Sequence, residues 1–125
     1  MELNATTQKT NLLQIISYYA VVIALVLIFI PSAYMKLTNA EAIVNNFSKW
    51  NMLDLKNTVA IVEIVGVLLL LIPRTAFLGC IVLSGIMGGA IYTHLSFQEP
   101  AYFPIAIFLV IWINYLFIKP KKVSA

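Results

Sequence analysis

Apolar residues come in four long runs separated by short polar punctuation. The runs cover residues 11–37, 57–72, 75–95 and 101–118 and are dominated by Ile, Val, Leu, Ala and Phe. Charge is nearly absent from them: Lys36 stands at the end of the first run and Glu63 lies inside the second. A bilayer core takes about 20 apolar residues per helix, within a range of roughly 17–25. The pattern therefore predicts an all-α fold, a four-transmembrane-helix bundle whose second span is short. The first run is too long in its apolar core for a cleaved signal peptide, and no small-x-small site follows it.

The punctuation supports this division. Pro73-Arg74 separates the second and third spans so closely that they must form a tight helical hairpin. Pro100 and Pro104 suit the opening of the fourth helix, where a missing N–H costs least, and Pro120 stops it. Pro31, late in the first span, predicts a kink unless a neighbour satisfies the freed carbonyl.

Residues 38–56 are too many for a simple turn. Thr38-Asn39-Ala40-Glu41 fits a capping box, and Ile43, Val44, Phe47 and Trp50 then recur on one helical face. This predicts an amphipathic extracytoplasmic helix over about 39–50, between the first and second spans. It suits the outer membrane surface, with Trp50 as an interfacial anchor, and equally a flap packed on the bundle; the two are compatible.

Composition agrees with the pattern. Of the 125 residues, 62% are hydrophobic and 10% charged, with a mean hydropathy of +0.95. An ordinary soluble domain is about half apolar and about a quarter charged, so a soluble enzyme and a disordered chain are both excluded. The length allows a single membrane domain, 1–125, and no separate soluble catalytic domain.

The net charge of +3 is an anchor for orientation rather than a nucleic-acid footprint, since no basic stripe with interleaved aromatics is present. With four spans, Lys9, Arg74, Lys119, Lys121 and Lys122 share one side, against Lys36, Lys49 and Lys56 on the other. The positive-inside rule places both termini in the cytoplasm of a multi-pass inner or plasma membrane protein.

Cys80 is the only cysteine, which excludes an intramolecular disulfide, a CxxC pair and a thiolate metal cluster. With one histidine, no metal site is expected within one subunit. Glu63 is the residue that needs explaining, because a carboxylate within a span costs at least ~2–3 kcal/mol and seeks a partner. Lys36 and His94, at the outer ends of the first and third spans, are the candidates. Counted from the inner turn at 1.5 Å per residue, Glu63 lies about 14 Å up and His94 about 28 Å up. Lys36, which snorkels along its stem, is therefore the better partner. The trio reads either as a structural clamp or as a ligand or proton site, and no residue is assigned as catalytic. Tyr34 and Tyr92, with Tyr102 and Tyr115, are candidates to line a cavity, though interfacial tyrosines are ordinary. Gly85, Gly88 and Gly89 form a small-residue face expected to pack within the bundle ahead of serving as a dimer seam. Gly66 suits the same purpose, and Asn114 suits interhelical hydrogen bonding.

These residues resemble a known family. Phe29 to Leu37, ending in Lys36-Leu37, is similar to the first-helix motif of the DoxX-like family of small four-helix membrane proteins. Val62-Glu63-Ile64-Val65-Gly66 resembles its second-helix Glu-x-x-Gly signature, Pro73-Arg74-Thr75 its tight turn, and Gly88-Gly89-Ala90 through Thr93-His94 its third helix. The resemblance runs from about Phe29 to Leu95, and Ser32-Ala33 departs from it where a glycine is usual. It implies a four-helix bundle with Lys36, Glu63 and His94 as its polar positions. The family's founding members are associated with thiosulfate:quinone oxidoreductase, others with membrane oxidoreductase complexes or receptor assembly.

Three functions follow as expectations. The first is a subunit of a membrane oxidoreductase system that binds a quinone or similar lipophilic ligand, or supports a redox partner. The second is a non-catalytic assembly or chaperone-type protein, with a membrane or redox partner or a second copy of itself. The third is a small proton-coupled transporter, weakened because such transporters carry their glutamate in the first helix.

Overall fold

The computed structural model describes residues 2–120, with side chains from Asn11 onward. Helix α1 (Glu2–Leu37) sets the pattern. Its buried positions Tyr18, Val22, Leu25, Phe29, Ala33 and Lys36 recur at three- and four-residue spacing, which is one face of a helix. The opposite flank is apolar as well, with Leu12, Leu13, Ile16, Ile23, Leu27 and Ile30 all exposed. A helix apolar on both its packed and its open face suits lipid rather than water. The helix runs unbroken through Pro31.

The remaining helices are α2 (Glu41–Lys49), α3 (Lys56–Leu71), α4 (Ala76–Ser96) and α5 (Tyr102–Ile113). No strand occurs among the described residues. Two segments, Asn11–Leu37 and Pro73–Ser96, are long and apolar enough to cross a membrane, while Tyr102–Ile118 is apolar but shorter. Helix α3, of 16 residues, is short as expected. Lys121 and Lys122, two of the expected topology anchors, lie outside the described residues, as does the side chain of Lys9.

Helices α1, α3, α4 and α5 pack in chain order, and the chain closes the ring where the last turn of α5 returns to α1. That turn, Asn114–Ile118, is a π-type extension. Asn114 Nδ2 donates to the Tyr18 carbonyl at 3.2 Å, the interhelical bond its polarity suggested. The α3–α4 hairpin turns in a single 3₁₀ step, Pro73–Thr75, where Thr75 Oγ1 donates to Leu69 O at 2.8 Å. Lys119 Nζ reaches Pro73 O at 3.4 Å, so the Asn114–Ile118 turn and this hairpin share one end of the bundle.

Two sequence expectations are corrected. Gly85, Gly88 and Gly89 do not pack against a neighbouring helix: a Cβ added at any of them would meet open space. The close approach falls instead at Gly66 and Gly79, where a Cβ on Gly79 would lie 2.6 Å from Leu70 N and 2.9 Å from Gly66 O. Gly66 was foreseen for this purpose and Gly79 was not. The capping box at Thr38 also does not form. Ala40 is the N-cap of α2 with no side-chain bond, and Thr38 Oγ1 donates backward to Tyr34 O at 2.8 Å. The end of α1 claims this segment, because Ala40 N donates to Met35 O and Asn39 N to Lys36 O, with Asn39 at φ 59°. That is a Schellman cap built on asparagine. The same arrangement ends α2 at Asn51 and α4 at Gln98, both at φ 58°.

Candidate functional site beneath α2

The ladder of buried positions brings Lys36 and Glu63 to the same seam. Lys36 is the last member of the α1 core stripe, and Glu63 falls in the α3 stripe Lys56, Ala60, Glu63, Val67, Leu70. Lys36 Nζ stands 2.8 Å from Glu63 Oε1 and donates to Ser32 Oγ, one turn earlier, at 2.6 Å. The pairing favoured over His94 by depth and snorkelling is therefore present. Glu63 is 2% exposed, and its Oε1 has charge contact with Lys36 but no aligned hydrogen-bond donor.

Lys56 is a second buried cation, 5% exposed, which the sequence reading counted only as a topology charge. Its Nζ donates to the Lys36 carbonyl at 2.5 Å and to Asn57 Oδ1 at 2.8 Å. The ammonium adds a second donor to the Lys36 carbonyl, which Asn39 N reaches only at 3.4 Å, and meets the negative end of the helix dipole. Its position seven residues before Glu63, on the same helical face, was the available signal.

Around this seam lies a cavity of about 560 Å³, of the size that holds small-molecule ligands. Ile28, Phe29 and Met35 from α1 and Ile86, Met87 and Ile107 from α4 and α5 make it mainly apolar. Its polar groups are few: Lys36, Glu63, Ser32, Asn46, Thr93 and His94. Gly85 and Gly89 also line it, so the glycine face leaves room rather than closing a helix contact. Tyr34 and Tyr92, expected as cavity candidates, point outward at 67% and 75% exposure and are not among the lining residues. Tyr102, 81% exposed, is placed likewise.

Helix α2 covers one side of the cavity with Ile43, Asn46, Phe47 and Trp50. A carboxylate from the α4–α5 connection fixes it there. Glu99 accepts hydrogen bonds from Lys49 Nζ and, at 3.1 Å, from Trp50 Nε1. His94 Nδ1 lies 3.2 Å from Glu99 Oε1, and the His94 ring meets Trp50 edge to face at 5.2 Å. His94, which the sequence offered as a partner for Glu63, thus engages Glu99 while still lining the cavity. The hydrogen bond from Lys49, then that from Trp50 and the charges of Lys49 and His94, holds the Glu99 carboxyl below the usual carboxylate range. Sequence reading missed this cluster, although Glu99 is the single acid of its loop.

Cys80 is fully buried in the core away from these groups. Among the described residues no group of His, Cys, Asp and Glu side chains is arranged to hold a metal ion.

Neither curated proteins nor solved structures match the chain. A family model described as the DoxX-like family matches residues 20–114, which takes in Lys36, Glu63, His94 and Glu99 and extends beyond the segment that carried the resemblance. With its two membrane-length apolar helices and its exposed apolar flanks, the chain is a helical membrane protein that belongs to the DoxX-like family.

Proposed function

We propose that the chain crosses the membrane four times, with both termini in the cytoplasm, and that its outer cavity binds a lipophilic ligand of the quinone class. In this reading α1, α3, α4 and α5 span the bilayer and α2 lies at its outer surface. The protein then serves as a ligand-binding or accessory subunit of a membrane oxidoreductase system. The observation that carries the reading is Glu63: a buried carboxylate, paired with Lys36, that borders a mainly apolar cavity. Intramembrane acids are expensive and mark ligand or proton sites.

The lining suits a quinone head. Lys36 and Ser32 offer donors to carbonyl oxygens, and the apolar walls suit an isoprenoid tail. Glu63 offers a carboxylate oxygen as hydrogen-bond acceptor to a reduced ring hydroxyl, beside the Lys36 ammonium. The quinone itself supplies the redox chemistry when bound, and this chain's residues orient it and exclude water.

A decyl-chain benzoquinone titrated into the detergent-solubilised protein tests this. Ligand that binds only the native state raises its stability by about 2.7 kcal/mol at a hundredfold excess over Kd. Wild type is expected to show that thermal shift and Glu63→Gln to lose it. An equal shift in both removes Glu63 from the site.

A second reading is favoured by one observation, the double tie between α1 and α3 made by Lys36–Glu63 and by Lys56 on the Lys36 carbonyl. Here the polar groups only fix the bundle, and the protein is a non-catalytic partner in membrane assembly. Undiminished association with a native partner in the Glu63→Gln, Lys36→Met double variant would favour it.

A further inference from the structure

The cavity has two different boundaries. On the α2 side it is bordered by a polar cluster: Lys49 and Trp50 donate to Glu99, and the His94 ring of α4 meets Trp50 edge to face. Trp50 and Phe47, packed edge to face at 5.4 Å, both line the cavity beneath that cluster, and Asn46 is the one exposed lining residue of α2. Helix α2 is held between two left-handed turns at Asn39 and Asn51, and a third left-handed residue, Gln98, directly precedes Glu99. Backbone of this kind fixes the direction in which α2 and the Glu99 loop leave their neighbours.

The other boundary is apolar and open. Pro31 and Met35 of α1 and Phe103 of α5 line the cavity and are also exposed at the surface, Phe103 at 65%. Helix α1 receives the end of α5 at the far end of the bundle, through the Asn114–Ile118 turn and the Asn114–Tyr18 bond. The outer parts of the two helices are therefore left apart, with the cavity between them.

We propose that α2, latched through Glu99, closes the cavity to the outer aqueous phase, and that the gap between α1 and α5 opens it to the bilayer. The ligand it takes is then a membrane-dissolved amphiphile that enters sideways, head first toward Lys36 and Glu63 with its tail trailing past Met35 and Phe103, and not a water-soluble solute. This rests on the four-span reading above and adds to it the source of the ligand and the door it uses.

The test places a reporter thiol in the cavity, Val59→Cys in a Cys80→Ala background, with Ile86→Cys as a second position should the first fail to fold. Full-length protein in liposomes is treated from outside with a sulfonate-bearing thiosulfonate or with a long-chain alkyl maleimide dissolved in the membrane. The alkyl reagent is expected to label quickly and the charged one slowly. Glu99→Gln should speed the charged reagent about tenfold, the opening equilibrium that a hydrogen bond to a charged group is worth, and leave the alkyl reagent unchanged. Rapid labelling by the charged reagent with the latch intact overturns the seal. Slow labelling by the alkyl reagent overturns the lateral door. Neither rate depends on whether a quinone binds at Glu63, so failure of the ligand reading is seen separately.

Discussion

Lys36 and Glu63 meet at 2.8 Å across the seam of α1 and α3, and both border the same cavity. The contact joins stability to function, because the carboxylate that a ligand would use is also the one that neutralises a buried lysine. Removing one partner of a buried pair costs roughly 3–5 kcal/mol, whereas replacing both by apolar groups is often neutral. Lys36→Met and Glu63→Gln should therefore each destabilise the bundle by about 3–5 kcal/mol, the neutral amide at the low end. The double variant should recover most of that loss. Thermal unfolding of the four proteins in one detergent checks the cycle, and additive losses would show that the pair is not coupled.

The Glu99 cluster predicts an acid transition with a definite sign. Its carboxyl is held below the usual range in the folded protein by the Lys49 and Trp50 hydrogen bonds. The stabilisation it gives is complete above the unfolded glutamate value, about 4.3, and is lost as pH falls through the depressed folded value. Trp50 emission, read in a Trp112→Phe background to remove the second indole, should shift to the red below about pH 4. Glu99→Gln should show the shifted emission at neutral pH and no acid step.

Glycines on α3 and α4 divide into two kinds. At Gly79 a methyl group would collide with the backbone of Leu70 and Gly66, so Gly79→Ala must push two helices apart and should cost about 1–3 kcal/mol. At Gly88 a methyl meets open space, and alanine is the better helix former by up to about 1 kcal/mol. Gly88→Ala should leave the melting temperature unchanged or raise it. The reverse order would contradict the α3–α4 crossing.

Gln98 holds a left-handed conformation at φ 58° without the local bonding that makes asparagine tolerant there. That conformation costs about 1–2 kcal/mol for an L-residue, and glycine returns part of it as backbone entropy, about 0.5–1 kcal/mol. Gln98→Gly should raise stability by about 0.5–1 kcal/mol in denaturant titration, with no gain from the same change at Asn45, inside α2.

Much of this arrangement was legible in the sequence. The helical segments follow from apolar run length, and depth with the reach of a lysine stem ranks Lys36 ahead of His94 as the partner of Glu63, while the contact itself is read only from the structure. The Pro73 hairpin follows from proline chemistry. The α2 cover was legible as an amphipathic stretch, yet its latch was not: Glu99 meets Lys49 and Trp50 across about fifty residues of chain, and no local period encodes that. The helix ends were misjudged at Thr38 because capping boxes and Schellman caps compete for the same residues, and the carbonyls of a long helix won. Glycine spacing marks α4 as a close-packing surface, but spacing does not say which glycine meets a neighbouring helix; Gly79 does, and Gly85, Gly88 and Gly89 do not.

The most direct measurement of the central claim is native mass spectrometry of the protein extracted gently from its own membrane. A stoichiometric adduct of quinone mass on the wild type, absent from Glu63→Gln protein that remains folded under the same conditions, is the predicted result. A bare wild-type chain, or an adduct that survives Glu63→Gln unchanged, would contradict a lipophilic-ligand site built on Glu63.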